Sequence, residues 1–204
     1  MNRSFASKNV FLKFALFAGI ALSATNAFAQ VENPSQISIQ GIGLFTTSLN
    51  NQSPAYSATK SGGVLAGYSY QFNRNFSAEG NYGYTRNVQN FSSTAFQSDI
   101  HQATGALVWH IPAHIAHISP YALGGGGTLT FNPTDKFTVA GADTQTKGTF
   151  VYGGGANIYI TSKFGFRAEY RGLVYKVPDF KVSTLSIDKF THLAQPSFGF
   201  YTRF

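Results

Sequence analysis

Five histidines are the residues with the plainest chemical use, and three of them are spaced as His110-x-x-x-His114-x-x-His117. On a helix that spacing would gather imidazoles on one face and offer nitrogens to a metal. Pro112 inside the set and alternating segments on both sides predict a turn instead, where the same side chains are solvated. His117-Ile118-Ser119 brings an imidazole near a hydroxyl, the first requirement of nucleophilic hydrolysis. The second is an acid to orient the histidine, and none follows until Asp135. The chain has no cysteine, which removes thiolate chemistry and fits an oxidising compartment. The runs Gly124-Gly125-Gly126-Gly127 and Gly153-Gly154-Gly155 lack the Lys-Ser/Thr of a phosphate-cradling loop. No catalytic, metal or cofactor site is predicted.

What remains is electrostatic. Only 11% of the residues are charged, so those inside regular segments stand out. Arg167, Glu169 and Arg171 alternate with Phe166, Ala168 and Tyr170, and Glu79 lies between Ala78 and Gly80. On strands this places the charges on one face and the apolar residues on the other. With Arg203 they are expected to form a polar cluster in an enclosed interior, paired because an isolated buried ion is costly.

The elements that would position them are eight strands, at 36–45, 62–72, 76–85, 98–111, 118–131, 148–161, 164–175 and 195–204. Long connections (46–61, 86–97, 132–147, 176–194) alternate with short ones (73–75, 112–117, 162–163). Residues 1–29 read as a cleavable secretory leader, with basic Arg3, Lys8 and Lys13, an apolar run, and Ala27-Phe28-Ala29 before Gln30. Residues 30–204 form the remaining domain. Without the leader's three basic residues the charge is twelve minus eight, or +4, too thinly spread for a nucleic-acid partner but suited to phosphorylated lipid at a rim. No later stretch could cross a membrane as a helix, so a membrane form must be a closed barrel.

The ending supports that form. Phe198, Phe200 and Phe204 alternate with Ser197, Gly199, Tyr201 and Arg203, apolar outward and polar inward, which points to the bacterial outer membrane with both termini in the periplasm. The same alternation puts Val64, Tyr68, Tyr82, Leu107, Trp109, Phe150 and Phe166 outward. It also predicts Tyr121, Leu123, Leu129 and Phe131 outward in the fifth strand, and a bulge near Gln40-Gly41 in the first, where the phase changes between Ile37/Ile39 and Ile42/Leu44. Two aromatic girdles follow, one including Phe72, Phe76, Trp109, Tyr121, Phe164, Phe166 and Phe204, the other Tyr84, Phe131, Phe150 and Tyr152. An eight-stranded interior is filled by side chains, so a polar plug is expected, with a narrow gated conduit as the alternative.

The segments 120–127, 166–172 and the Ser197-x-Gly199 ending resemble the small eight-stranded outer-membrane barrels, the class of the OmpA transmembrane domain and OmpX. The resemblance implies an all-β, antiparallel up-and-down transmembrane barrel. From the long loops and the lack of a complete catalytic set, a structural or cell-surface interaction role without enzymatic activity is expected, with a narrow pore for small solutes or ions as the alternative. Lipid and lipopolysaccharide are expected as neighbours from the scattered basic residues and an extracellular ligand from the long loops, and the resemblance implies the barrel-assembly machinery as a partner that reads Ser197, Gly199 and Phe204. Thr202 departs from the larger apolar residue usual in that signal. Some outer-membrane lipid A deacylases use a His-x-Ser pair, but His117 and Ser119 fall at the periplasmic end, away from the outer leaflet.

Overall fold

The computed structural model describes residues 31–47, 56–91, 94–113, 117–134, 144–178 and 189–204; the leader expected at 1–29 lies outside them. The described regular structure is all strand: β1 (Ser35–Thr46), β2 (Tyr56–Ala58), β3 (Ser61–Gln71), β4 (Phe76–Phe91), β5 (Thr94–His110), β6 (Ile118–Pro133), β7 (Gln145–Tyr159), β8 (Phe164–Lys176) and β9 (Phe190–Arg203). Each long strand pairs antiparallel with its neighbours in sequence, and β1 pairs with β9, so the sheet closes. Closure leaves no strand edge in the wall, the condition for a sheet to lie in hydrocarbon.

β2 and β3 form a single stave, making eight in all. Ala58 faces Gln89 and Gly63 faces Thr85 on the same partner strand, so one extra residue is taken up near Thr59, whose N–H and hydroxyl bond to Val88. The irregularity therefore lies in the second stave. The first has none: β1 runs without a slip from Ser35 opposite Tyr70 to Leu44 opposite Ser61. Ile37 and Ile39 face outward, and Ile42 and Leu44 face the lumen at 6% and 2% exposure. The phase change predicted as a bulge is a change in what the lumen requires.

The fifth predicted strand, β6, is likewise corrected. Tyr121, Leu123, Leu129 and Phe131 are buried inside, and the outward positions carry Ala122, Gly124, Gly126 and Thr128. Tyr121 and Phe131 thus belong to neither girdle. Phe72, Phe76, Trp109, Phe164 and Phe204 are outward and exposed at the end with short turns, and Phe150 and Tyr152 toward the end with long loops, whereas Phe166 and Tyr84 are only half-exposed. The glycine runs explain how β6 and β7 fit. Tyr121 faces Gly155 and Leu123 faces Gly153, while Gly124 faces Tyr152 and Gly126 faces Phe150. Each large residue meets a missing side chain across the ladder.

Three connections are shorter than expected. β4 and β5 stay paired out to Phe91 opposite Thr94, with Arg86 bridging Asp99 at 2.5 Å, so 86–97 is mostly hairpin. β9 begins at Phe190 and β7 at Gln145. The interior divides along its axis. Toward the short turns it is mainly polar, with Gln36, Ser77, Glu79, Asn157, Arg167 and Glu169 buried; toward the long loops Ile42, Leu44, Leu65, Leu129, Phe131, Leu173 and Leu193 pack around a buried amide pair, Gln195 donating Nε2 to Gln102 Oε1 at 2.8 Å. The all-polar plug expected from the sequence fills only part of the lumen.

Candidate functional site

Arg167, Glu169 and Arg171 are alternate residues of β8 and share its inward face. Glu79 stands on β4, four staves away around the eight-stave wall and therefore opposite. Long side chains meet across the lumen and close a ring. Arg167 Nη1 bonds Glu79 Oε2 at 2.7 Å, and its Nη2 bonds Glu169 Oε2 at 2.6 Å. Arg171 bonds Glu79 Oε1 through Nη2 and Glu169 Oε1 through Nε, each at 2.5 Å. Two cations and two anions alternate, all no more than 3% exposed at the side chain.

Neutral side chains complete the ring. Tyr121 donates its hydroxyl to Glu169 Oε2 at 2.7 Å and accepts from Arg167 Nε at 2.7 Å, and the Arg167 guanidinium lies 4.7 Å from the Tyr121 ring centre. Gly155 makes this possible, because a Cβ there would stand 2.7 Å from the Tyr121 hydroxyl. Asn81 donates to Glu79 Oε1 at 2.9 Å. Buried ions repay their desolvation only with this kind of geometry, in which carboxylate oxygens are shared among several donors.

Of the predicted cluster, Glu79, Arg167, Glu169 and Arg171 come together and Arg203 does not. Arg203 lies four residues beyond Gly199, the partner of Arg167 on β9. It donates Nε to Gln36 Oε1 at 3.0 Å and sits over the rings of Tyr159 and Tyr201. Tyr121 and Asn81 are ring members that face assignment missed or left unweighted. The pairing of Tyr121 with Gly155 is the signal that would have placed the tyrosine inside.

Ser197, Gly199 and Phe204 all lie on the closing strand. Ser197 Oγ donates to Gln40 Oε1 at 3.0 Å, Gly199 packs against the β1 backbone, and Phe204 exchanges both backbone hydrogen bonds with Ser35 while its ring faces outward. The histidines are dispersed. His110 sits at the end of β5, not in the turn, with Nε2 3.0 Å from Ser77 Oγ. His117 is exposed at φ 60°, and His114 lies outside the described residues. His101 bonds Tyr82 and His192 bonds Tyr152, both on the outer face. Among the described residues no three His, Asp or Glu converge as metal ligands. Ser77 is 2% exposed beside a cavity of about 10 Å³, too confined for an ester substrate.

The outer membrane protein beta-barrel domain family matches residues 14–189. No curated protein is matched by the sequence. By structure the chain is similar to Neisserial surface protein A (TM-score 0.62, 11% identity, covering 84% of this chain and 97% of that one). It is similar to OprG of Pseudomonas aeruginosa (TM-score 0.57, 14% identity, 87% and 99%). It is also similar to Ail, the attachment invasion locus protein of Yersinia pestis, in complex with the heparin analogue sucrose octasulfate (TM-score 0.54, 19% identity, 83% and 97%). At such identities the likeness is one of fold.

Proposed function

The chain belongs to the outer membrane protein beta-barrel domain family, in the bacterial outer membrane, and from that premise we propose that it is a sealed, non-enzymatic barrel acting as a rigid surface platform. The observation that carries this reading is the double closure of the lumen. A neutral ring of ions spans it, and nearer the long loops apolar side chains packed around the Gln102–Gln195 pair fill it. Neither layer offers a path for an ion or solute. Purified, folded protein in planar bilayers is expected to give no current steps. Reproducible single-channel conductance from it would overturn the reading in favour of a narrow pore.

A platform works through what its loops meet. Ail is a structural neighbour seen with a sulfated sugar, which makes polysulfated glycan the first ligand class to test, by binding of the intact protein to immobilised heparin. Outer-leaflet lipopolysaccharide is the proposed lateral neighbour, met by the outward girdle and by the Arg86–Asp99 pair. The closing strand ending in Phe204 is the proposed handle for the assembly machinery. Cleavage after Ala29 is proposed as well, and the mass of protein isolated from membranes checks it. Lipid A incubated with the protein is expected to keep its mass.

A further inference from the structure

The polar part of the lumen leaves hydrogen-bonding atoms unused. Asn157 Oδ1, Arg171 Nη1, Gln40 Nε2, Asn81 Oδ1 and Thr104 Oγ1 are buried without a partner, on residues at most 7% exposed. Two of these offer N–H, two offer carbonyl oxygen and one offers a hydroxyl. They are therefore not orphans of a single kind that a shift of one neighbour would satisfy. In a native interior such groups are met by bound water where the site is polar and roomy enough.

Among the described residues there is room at the end with short turns. Asn157 lines the cavity of about 10 Å³ at the short-turn end, together with Gln36, Ser69, His110 and Arg203. That volume accommodates one water molecule and nothing larger. On the other side of the ring, Leu44, Leu65, Leu129, Phe131, Leu173 and Leu193 are at most 3% exposed; the amides of Gln102 and Gln195 among them bond to each other, so this layer stays dry without bound water. Ser61 and Ser98 also carry unpartnered hydroxyls, Ser98 opposite Pro133 at the end of β6.

We propose that the lumen is hydrated from the periplasm alone. One ordered water donates to Asn157 Oδ1 in the cavity, on the side of the ring that faces the short turns, and the layer beyond the ring is dry. The ring then exchanges water and protons with the periplasm and not with the cell exterior. The proposal goes beyond the sealed-barrel reading, since a plug alone would seal the barrel however the rest were solvated.

Radiolytic hydroxyl-radical footprinting of the folded, detergent-solubilised protein tests it without any added ligand. Tyr121 and Tyr175 have the same intrinsic reactivity and are nearly equally buried, at 3% and 1%. Tyr121 borders the cavity, and Tyr175 lies on the far side of the ring against Phe131. Tyr121 is expected to oxidise several-fold faster than Tyr175, and Asn157→Leu to bring the two rates together. Equal slow rates in the unaltered protein would overturn the proposal, and so would a Tyr121 rate unchanged by Asn157→Leu. If that variant does not fold, the comparison in the unaltered protein decides. Fast oxidation of both tyrosines would contradict the dry layer and also the sealed barrel, whereas slow oxidation of both would sink only the hydration.

Discussion

Glu169 accepts from Arg167, Arg171 and Tyr121 at once, so its removal leaves two buried guanidinium groups to share the one carboxylate of Glu79. Glu169→Ala is expected to lower the unfolding free energy by about 3–5 kcal/mol, somewhat less if water enters the gap. Denaturant titration of the folded protein in detergent measures it, and an unchanged midpoint would exclude the ring from the stability of the barrel. Tyr121→Phe removes only a hydroxyl that donates to Glu169 and accepts from Arg167, at an expected cost of about 1–3 kcal/mol. Because both changes act on one network, the double variant should lose less than the sum. The four ions were legible in the sequence because so few charges occur within the alternating strands and each sat between apolar neighbours. Arg203 shared that pattern yet lies outside the ring, since alternation gives the face of a residue and not its height along the barrel.

At the scale of the strand, alternation was readable wherever the two faces differed in polarity, as in β4, β7, β8 and β9. It misled in β6 and β1, where apolar residues face the lumen and glycine or alanine faces lipid, because one-face burial is then no longer marked by polarity. The long hairpin of β4 and β5 was hidden for a related reason: above the membrane, residues such as Asn87 and Asn90 read as loop although the ladder continues through them. Gly172 gives an element-scale prediction. The Tyr152 ring crosses it to reach His192 at 3.0 Å, and a Cβ at 172 would stand 2.5 Å from that ring. Gly172→Val should displace Tyr152, break its bond to His192 and loosen β7 against β9 across β8, read as faster amide exchange in those strands. Deletion of Phe204 removes the last outward ring and the backbone pairing to Ser35 at the seam. The expected outcome is a sharp fall in heat-modifiable, membrane-inserted protein, with normal levels counting against a role in assembly.

For the whole molecule, wall and loops should be separable. Shortening the segment 179–188 leaves every described strand intact, and surface connections tolerate changes of length. The shortened protein is expected to fold and to lose binding to glycan or cells; retained binding would move the ligand site elsewhere. The mainly apolar plug has a thermal consequence. The outer wall of the barrel passes from lipid or detergent to an unfolded state that detergent still coats, so its hydration changes little. The plug is different, because water reaches Leu65, Phe131 and Leu173 only when the barrel opens. Newly wetted apolar area raises heat capacity by about 0.45 cal/mol/K for each Å². Calorimetry should accordingly give a positive heat-capacity step that shrinks when plug residues are replaced by smaller ones. The stability curve should bend like that of a water-soluble domain, with the barrel loosening at low temperature as well as at high.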